Sequence, residues 1–180
     1  EISRALDLPV IVKPTNQGSS LGVTIVKDES QWKLALETAF AYSEEVMVEK
    51  FIDGKLLAIG MNEMTPMPII HIRPKSGFYD YEAKYTSGKT EYICPADIKE
   101  GEADRCRQVA IKVFQVLRGR GFPRVDVILD GQGTPQVLEI NTIPGMTPTS
   151  LLPMAAQEMG MEFDDLVVEI LKTAQLDYTK

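Results

Sequence analysis

Asp126 and Glu139 are the residues whose types and spacing point most directly to chemistry. They sit in RVDVILDGQGTPQVLEIN, residues 124–141, where two runs of alternating apolar residues flank a Gly-rich stretch. A turn on residues 131–134 folds the runs into an antiparallel hairpin, with Asp130 opposite Pro135. In that register Asp126 faces Glu139 and Arg124 faces Asn141. Period-two alternation puts all four on one face and turns Val125, Val127, Leu138 and Ile140 into a core. Two carboxylates directly opposite each other repel and weaken a bare sheet. A cation between them removes the repulsion. Carboxylates with an amide oxygen are hard ligands, suited to magnesium shared with phosphate oxygens. The competing reading is a solvated hairpin face carrying ordinary charges.

The elements upstream must position a phosphate partner for such a site. Strands PVIVKP and GVTIVK flank a loop of small and polar residues, 15–22. A hairpin tip of this kind exposes N–H groups and hydroxyls and can close over phosphates. No GxxxxGK[ST] is present, so it is not a P-loop, and mobile Gly/Ser turns are common. Trp32, Ala35, Leu36, Ala39 and Phe40 recur at helical spacing, with Asp28 or Ser30 as the cap. The strand EEVMVEK then runs through Glu49, Lys50, Phe51 and Ile52 to a turn at Asp53-Gly54. Apolar side chains and free backbone groups there would suit a nucleotide base.

Residues 56–72 read as strand, Pro-punctuated turn, strand. GFYDYEAKYTSGKTEYICP reads as a loop rich in tyrosine and lysine. Partly packed surface tyrosines are its plainer reading. A mobile Lys84-Tyr85 pair covering a phosphate and excluding water is the functional one. Cys106, Val109, Ala110, Val113, Phe114 and Leu117 trace a helical stripe ending at Arg118-Gly119-Arg120-Gly121. Phe163, Leu166, Val167, Ile170, Leu171 and Ala174 predict a packed terminal helix, with residues 175–180 frayed. The opening EISRALDLPVIVKP reads as the tail of a helix entering a strand, as in a piece of a longer protein.

Composition narrows the classes. With 44% hydrophobic and 25% charged residues, the 180-residue chain has the makings of an ordinary globular core. A net charge of −7 argues against nonspecific nucleic-acid binding. No apolar run approaches a membrane span, and no signal peptide pattern is visible. Cys94 and Cys106 lack metal-pair spacing, and Cys106 reads as a buried thiol in a reducing compartment. His71, the single histidine, rules out zinc-hydrolase motifs, gives a Ser-His-Asp site little support and reads as a structural or surface residue.

VKPTNQGSSLG, VEKFIDG, FYDYEAKY, RVDVILD, LEINTIPGMT and SLLPMAA follow one another in the order found in D-alanine–D-alanine ligases of the ATP-grasp superfamily. Over nearly its whole length the chain resembles the C-terminal part of that family. The resemblance implies an α+β ATP-grasp fold, with two lobes of mainly antiparallel sheet and packed helices around a nucleotide cleft. Residues 1–52 would form the second part of the central lobe. Residues 53–180 would form the C-terminal lobe with the metal and second-substrate site, and the N-terminal domain would be absent. The implied reaction joins two D-alanines through an acyl phosphate for peptidoglycan precursor synthesis. It uses ATP as co-substrate and magnesium, or manganese, as cofactor. A cytoplasmic, homodimeric parent follows by the same resemblance, with no nucleic-acid or membrane partner.

Residue by residue, Lys13 and Lys84 match lysines that hold ATP phosphates, and Ser19 and Ser20 lie in the phosphate-covering loop. Glu49, Lys50, Phe51 and Ile52 match the segment contacting adenine. Asp126, Glu139 and Asn141 match the magnesium ligands. Arg124 matches the arginine that stabilises the tetrahedral intermediate, a fixed cation aimed at developing oxyanion charge. Gly145, Ser150 and Leu151 match the pocket for the second D-alanine's carboxylate, and Tyr85 with Ser19 matches partners that hold the mobile loop closed.

Two departures stand out. Leu56 occupies the place of a ribose-bonding glutamate in Gly54-Lys55-Leu56. The family's N-terminal domain and an earlier phosphate-contacting lysine are not represented, so the isolated stretch is expected to be a poor or inactive ligase. A D-alanine–D-lactate or D-serine ligase is the related alternative, although Tyr85 in EAKY favours an amine acceptor. A nucleotide-binding module without catalysis is the other. Leu56 points towards it, and the intact Arg124, Asp126, Glu139 and Asn141 set points away.

Overall fold

The structure is a computed structural model and describes residues 6–176. The helix tail expected at the start falls partly on residues 1–5, and the frayed end partly on 177–180, outside those described. The chain divides into two compact units, one from residues 1–52 and 74–91, the other from residues 53–73 and 92–180. This differs from the single cut after residue 52 expected from the sequence, because the segment 74–91 groups with the first unit.

In the first unit β1 (Val10–Pro14) lies between β2 (Thr24–Val26) and β3 (Val46–Lys50), antiparallel to both. Val10, Val12 and Val26 are buried against Ala35 and Ala39 of α1 (Trp32–Phe40), with Trp32, Leu36, Val46 and Val48 packed around them. Alternation leaves Ile11, Lys13, Met47 and Glu49 on the opposite face of the sheet. Asp28 caps the 3-10 turn Glu29–Gln31 by accepting from the Ser30 N–H at 3.0 Å. Phe40, expected on the packed stripe, is exposed.

In the second unit β4 (Gly54–Asn62) is central. It pairs with β5 (Thr65–Pro74) and β7 (Arg124–Asp130), while β6 (Thr90–Ile93) and β8 (Pro135–Asn141) form the edges. One face carries Leu57, Ile59, Met61, Val125, Val127 and Leu129. These pack against Ala103, Cys106, Ala110 and Phe114 of α3 (Glu100–Val116), which follows the short helix α2 (Tyr81–Tyr85) of the first unit in the chain. Each such large aliphatic side chain contributes roughly 1.5–3 kcal/mol when fully buried. The other face of β4 meets α4 (Leu151–Glu158), with Leu152 close over Gly60, and α5 (Phe163–Thr173) packs on α4.

Several expectations shift. The β4–β5 turn falls on Glu63-Met64, and Pro66 and Pro68 lie inside β5, where the ladder is irregular near Ile59 and Met61. The tyrosine-rich loop contains the short helix α2, whose N-cap Asp80 accepts from the Ala83 N–H at 2.8 Å, and then β6. Leu117 lies past the end of α3 and is exposed, because Arg118 takes a left-handed conformation and the Gly119 N–H returns to the Phe114 carbonyl at 2.7 Å. On α5 only Leu166 is fully buried, while Phe163, Leu171 and Ala174 are exposed.

Candidate active site

The hairpin of β7 and β8 carries the charged cluster, and its turn is locally specified. The Asp130 carboxylate accepts N–H bonds from Thr134 at 2.8 Å and Gln132 at 3.0 Å, and Gly133 supplies the left-handed residue. The Thr134 N–H bond, with those from the Gln136 side chain and Gln132, outweighs desolvation and holds the Asp130 carboxyl below its ordinary range. Away from the turn Arg124 pairs with Asn141 and Asp126 with Glu139, the register expected from the sequence.

Between Asp126 and Val127 the register slips by one residue, so Leu129, not Asp130, stands opposite Pro135. The extra residue in β8 is Leu138 itself, which stands between Glu139 and Val137 without a ladder partner in β7. The bulge turns this side chain out of the core to 44% exposure, where alternation alone had buried it. Ile140 keeps its contact with the core.

The four polar side chains converge. Arg124 grips Asp126 with two bonds, Nε to Oδ1 at 2.7 Å and a terminal guanidinium nitrogen to Oδ2 at 2.8 Å. The Asn141 amide nitrogen donates to Asp126 Oδ2 at 3.0 Å and to Glu139 Oε1 at 3.3 Å. Asp126 is buried, Arg124 is largely buried, and Glu139 opens to solvent. The strand beneath completes this face: Gly60 pairs with Arg124, Ala58 with Asp126 and Leu56 with Ile128. Leu56 also pairs with Ile72, so an apolar row lies beside the carboxylates at the position where the resemblance placed a polar contact.

In the same unit Ser150 begins α4. Its Oγ accepts from the Thr147 N–H at 3.0 Å and lies 2.8 Å from Thr147 Oγ1. Gly145 is adjacent, since a Cβ built there would come within 3.0 Å of Ser150 Oγ. Leu151 is buried. Thus two of the three acceptor-pocket residues named from the sequence touch one hydroxyl cluster, and the third anchors its helix.

The nucleotide residues named from the sequence fall in the first unit. Lys13 donates to Glu49 at 2.7 Å across the face opposite α1. Lys50 alternates to the other face, and the Phe51 N–H bonds the Pro9 carbonyl at 3.1 Å. Glu49 and Lys50 therefore leave the strand on opposite faces of the sheet. Ile52 is half-buried at the end of the unit.

Ser19 Oγ lies 2.9 Å from Tyr85 Oη, and Ser20 Oγ donates to the Tyr79 carbonyl at 3.0 Å. The Lys84 ammonium sits 5.2 Å from the Tyr79 ring centre. Two bonds thus tie the small-residue loop to the segment around α2, and Ser19 and Ser20 hold φ of 54° and 59° there. The Ser20–Tyr79 tie was missed because a backbone acceptor leaves no mark in sequence. Asp80, three residues before Ala83, was a readable capping signal.

One polar cluster was not foreseen. His71 Nδ1 lies 2.5 Å from Asp97 Oδ1, Arg73 donates to Asp97 Oδ2 at 2.7 Å, and Lys55 Nζ lies 3.5 Å from Oδ1. Desolvation raises the Asp97 pKa, but the His71 bond and charge, with Lys55 and Arg73, hold it below the ordinary carboxylate value. His71 itself is buried, so of the structural and surface places read for it the surface one is excluded.

The family described as the D-ala D-ala ligase C-terminus matches residues 1–172. The chain belongs to that family. As a D-alanine–D-alanine ligase C-terminal chain it is 46% identical over 170 residues to a D-alanine–D-alanine ligase of Syntrophotalea carbinolica, covering 94% of this chain and 55% of the relative. The ligase of Methylacidiphilum infernorum is 43% identical, with 94% and 56% covered. The chain thus spans about half the length of these relatives. A Bacillus anthracis D-alanine–D-alanine ligase has the same architecture at TM-score 0.82 and 34% identity, covering 96% of this chain and 56% of that one. A crystal structure of that ligase with ATP matches at TM-score 0.76 and 33% identity, with 92% and 53% covered. A D-Ala:D-Ser ligase of Enterococcus faecalis matches at 0.83 and 30%, with 96% and 51% covered. The fold is accordingly the α+β ATP-grasp type.

Proposed function

We propose that this chain provides the phosphate, metal and acceptor-side groups of a D-alanine–D-alanine ligase, which joins two D-alanines through an acyl phosphate with ATP as co-substrate. The observation that carries this reading is the cluster on the β7–β8 hairpin, where Asp126 faces Glu139, Asn141 bridges them and Arg124 stands alongside. The family's relatives at 42–46% identity are named D-alanine–D-alanine ligases, and a related ligase has been solved with ATP.

The donor set fits magnesium, with manganese as an alternative. Among the described residues no group of three or more His, Cys, Asp or Glu converges as a metal cage. Two carboxylates and an amide match an ion that completes its shell with phosphate oxygens and water. When bound, the ion would neutralise and orient phosphoryl oxygens.

The chain's own residues supply the rest. Lys13 and Lys84 carry positive charge for the ATP phosphates, and the backbone of residues 49–52 offers the polar edge for the base. The tie from Ser19 to Tyr85 holds the small-residue loop down and excludes water. Arg124 presents a cation to the oxyanion that forms when the second D-alanine's amine attacks the acyl phosphate. The Ser150 hydroxyl, kept close to Gly145 by the absence of a side chain there, takes the acceptor's carboxylate, with Leu151 anchoring the helix behind it. The parent acts as a homodimer in the cytoplasm. No helix among the described residues is long and apolar enough to cross a membrane.

Calorimetric titration with ATP, with and without magnesium, tests the nucleotide and metal half in wild-type protein and Asp126→Asn. Magnesium-dependent binding that the substitution weakens is the expected result. ATP binding indifferent to both would refute the site. Dipeptide formation from D-alanine in the parent protein, with D-serine and D-lactate as competitors, tests the reaction and its acceptor.

A further inference from the structure

We infer that Arg124 is a resident counter-cation of the metal site, so that entry of a divalent ion and release of the guanidinium from Asp126 are one exchange. This rests on the reading of Asp126, Glu139 and Asn141 as the ion's ligands.

Both oxygens of Asp126 are engaged by side chains of the same hairpin: Oδ1 by Arg124 Nε at 2.7 Å, Oδ2 by the terminal guanidinium nitrogen at 2.8 Å and by Asn141 at 3.0 Å. The amide turns its N–H donors, not its oxygen, towards Asp126 and Glu139. The side chains of Arg124 and Asp126 retain only 17% and 11% of their exposure, so water competes weakly for either charge. A bidentate Arg–carboxylate pair in such a place is among the stronger polar contacts available to a protein.

A divalent ion meets two obstacles at this arrangement. The guanidinium charge stands on its principal ligand, and the amide offers hydrogens where a lone pair is needed. Two side-chain movements remove both: Arg124 leaves Asp126, and the Asn141 amide turns over to present Oδ1. Neither movement requires a change in the β7–β8 register. Tethered two residues from Asp126, the released guanidinium would remain near a bound ion as a second positive charge, which anionic phosphate would offset. Arg124 therefore competes with the ion for Asp126 and disfavours its entry unless phosphate arrives with it.

The test uses manganese alone, without nucleotide or phosphate, with binding read by electron paramagnetic resonance and by thermal denaturation. Arg124→Gln keeps length and a hydrogen-bond donor but removes the charge. It should bind manganese about tenfold more tightly than wild type or better, the equivalent of at least one charged hydrogen bond. Its melting temperature should also rise further on manganese addition than that of wild type. Asp126→Asn added to either background should abolish the difference.

Wild-type protein provides an arm that does not depend on a variant folding. The Arg124 Nε–H resonance, protected from exchange in metal-free buffer, should lose protection as magnesium and pyrophosphate saturate the site. Equal or weaker manganese affinity in Arg124→Gln, with Asp126-dependent binding intact in wild type, overturns the exchange and leaves the metal site standing. Protection that persists at saturation overturns it as well. No Asp126-dependent manganese binding in either protein removes the metal site and the exchange together.

Discussion

Gly54 and Gly131 line the same cavity of about 240 Å³ in the second unit, yet an added methyl group should have opposite effects at the two positions. A Cβ on Gly54 would sit 2.3 Å from the Leu129 carbonyl oxygen and 2.9 Å from its carbon, with Ile128 Cγ2 at 2.7 Å. The first two obstacles are backbone atoms of β7 and cannot rotate away, so the strands must part where the ladder leading to Asp126 begins. Overpacking of this kind costs about 1–3 kcal/mol, and fixed backbone places Gly54→Ala near 3. For a chain of this size each kcal/mol moves the midpoint by roughly 2–4 °C, so melting should fall by roughly 6–12 °C.

Gly131 has nothing within 4 Å of its Cβ position and no left-handed φ. Gly131→Ala should therefore stabilise by about 0.4–1 kcal/mol through the unfolded chain's lost freedom, a rise of roughly 1–4 °C. Differential scanning calorimetry of both variants measures this pair of effects. A Gly54→Ala midpoint close to wild type, or an equal fall in both variants, would refute the steric reasoning. Manganese affinity of folded Gly54→Ala, measured well below its midpoint, should match wild type if the register holds.

The lowered Asp97 carboxyl stabilises the folded state above the ordinary carboxylate pKa and loses that effect as pH falls through the folded value. Asp97→Asn should thus melt lower than wild type at neutral pH, with the gap closing below about pH 4. Tyr85→Phe removes the bond to Ser19 and should speed amide exchange across residues 15–22, at no more than about 1 kcal/mol of stability. Unchanged exchange would mean that the Ser20–Tyr79 tie alone holds the loop. Burial pushes the Cys94 thiol up to about 11, Glu158 adding to the effect, and raises the Cys106 thiol as well. Neither should react with a disulfide reagent at pH 8 until denaturant unfolds the chain, which a thiol titration with and without guanidinium would check.

Legibility in the sequence followed the range of the forces involved. The Asp126–Glu139 and Arg124–Asn141 pairings and their shared face were legible within eighteen residues, but the register at the turn was not: Leu129 rather than Asp130 faces Pro135, and only the extra residue at Leu138 brings Asp126 opposite Glu139. The α3 stripe through Cys106, Ala110 and Phe114 was readable for the same reason, since a helix displays its own buried face at fixed spacing. The six ordered motifs carried the family further than any periodicity did.

Tertiary structure decided what depends on residues far apart in the chain. Alternation counted Leu138 into the core, but the slip after Asp126 turned it out, because the core-side positions were set jointly by β4, β7 and α3. The segment 74–91 joined the first unit through Ser19–Tyr85 and Ser20–Tyr79, bonds across 66 and 59 residues that no local spacing announces. Asp97 collected His71, Arg73 and Lys55 because neighbouring strands brought their charges to one loop. The hold of Arg124 on Asp126 lies between these cases. Their spacing of two residues put them on one face, while burial removed the competing water and made that contact strong enough to matter.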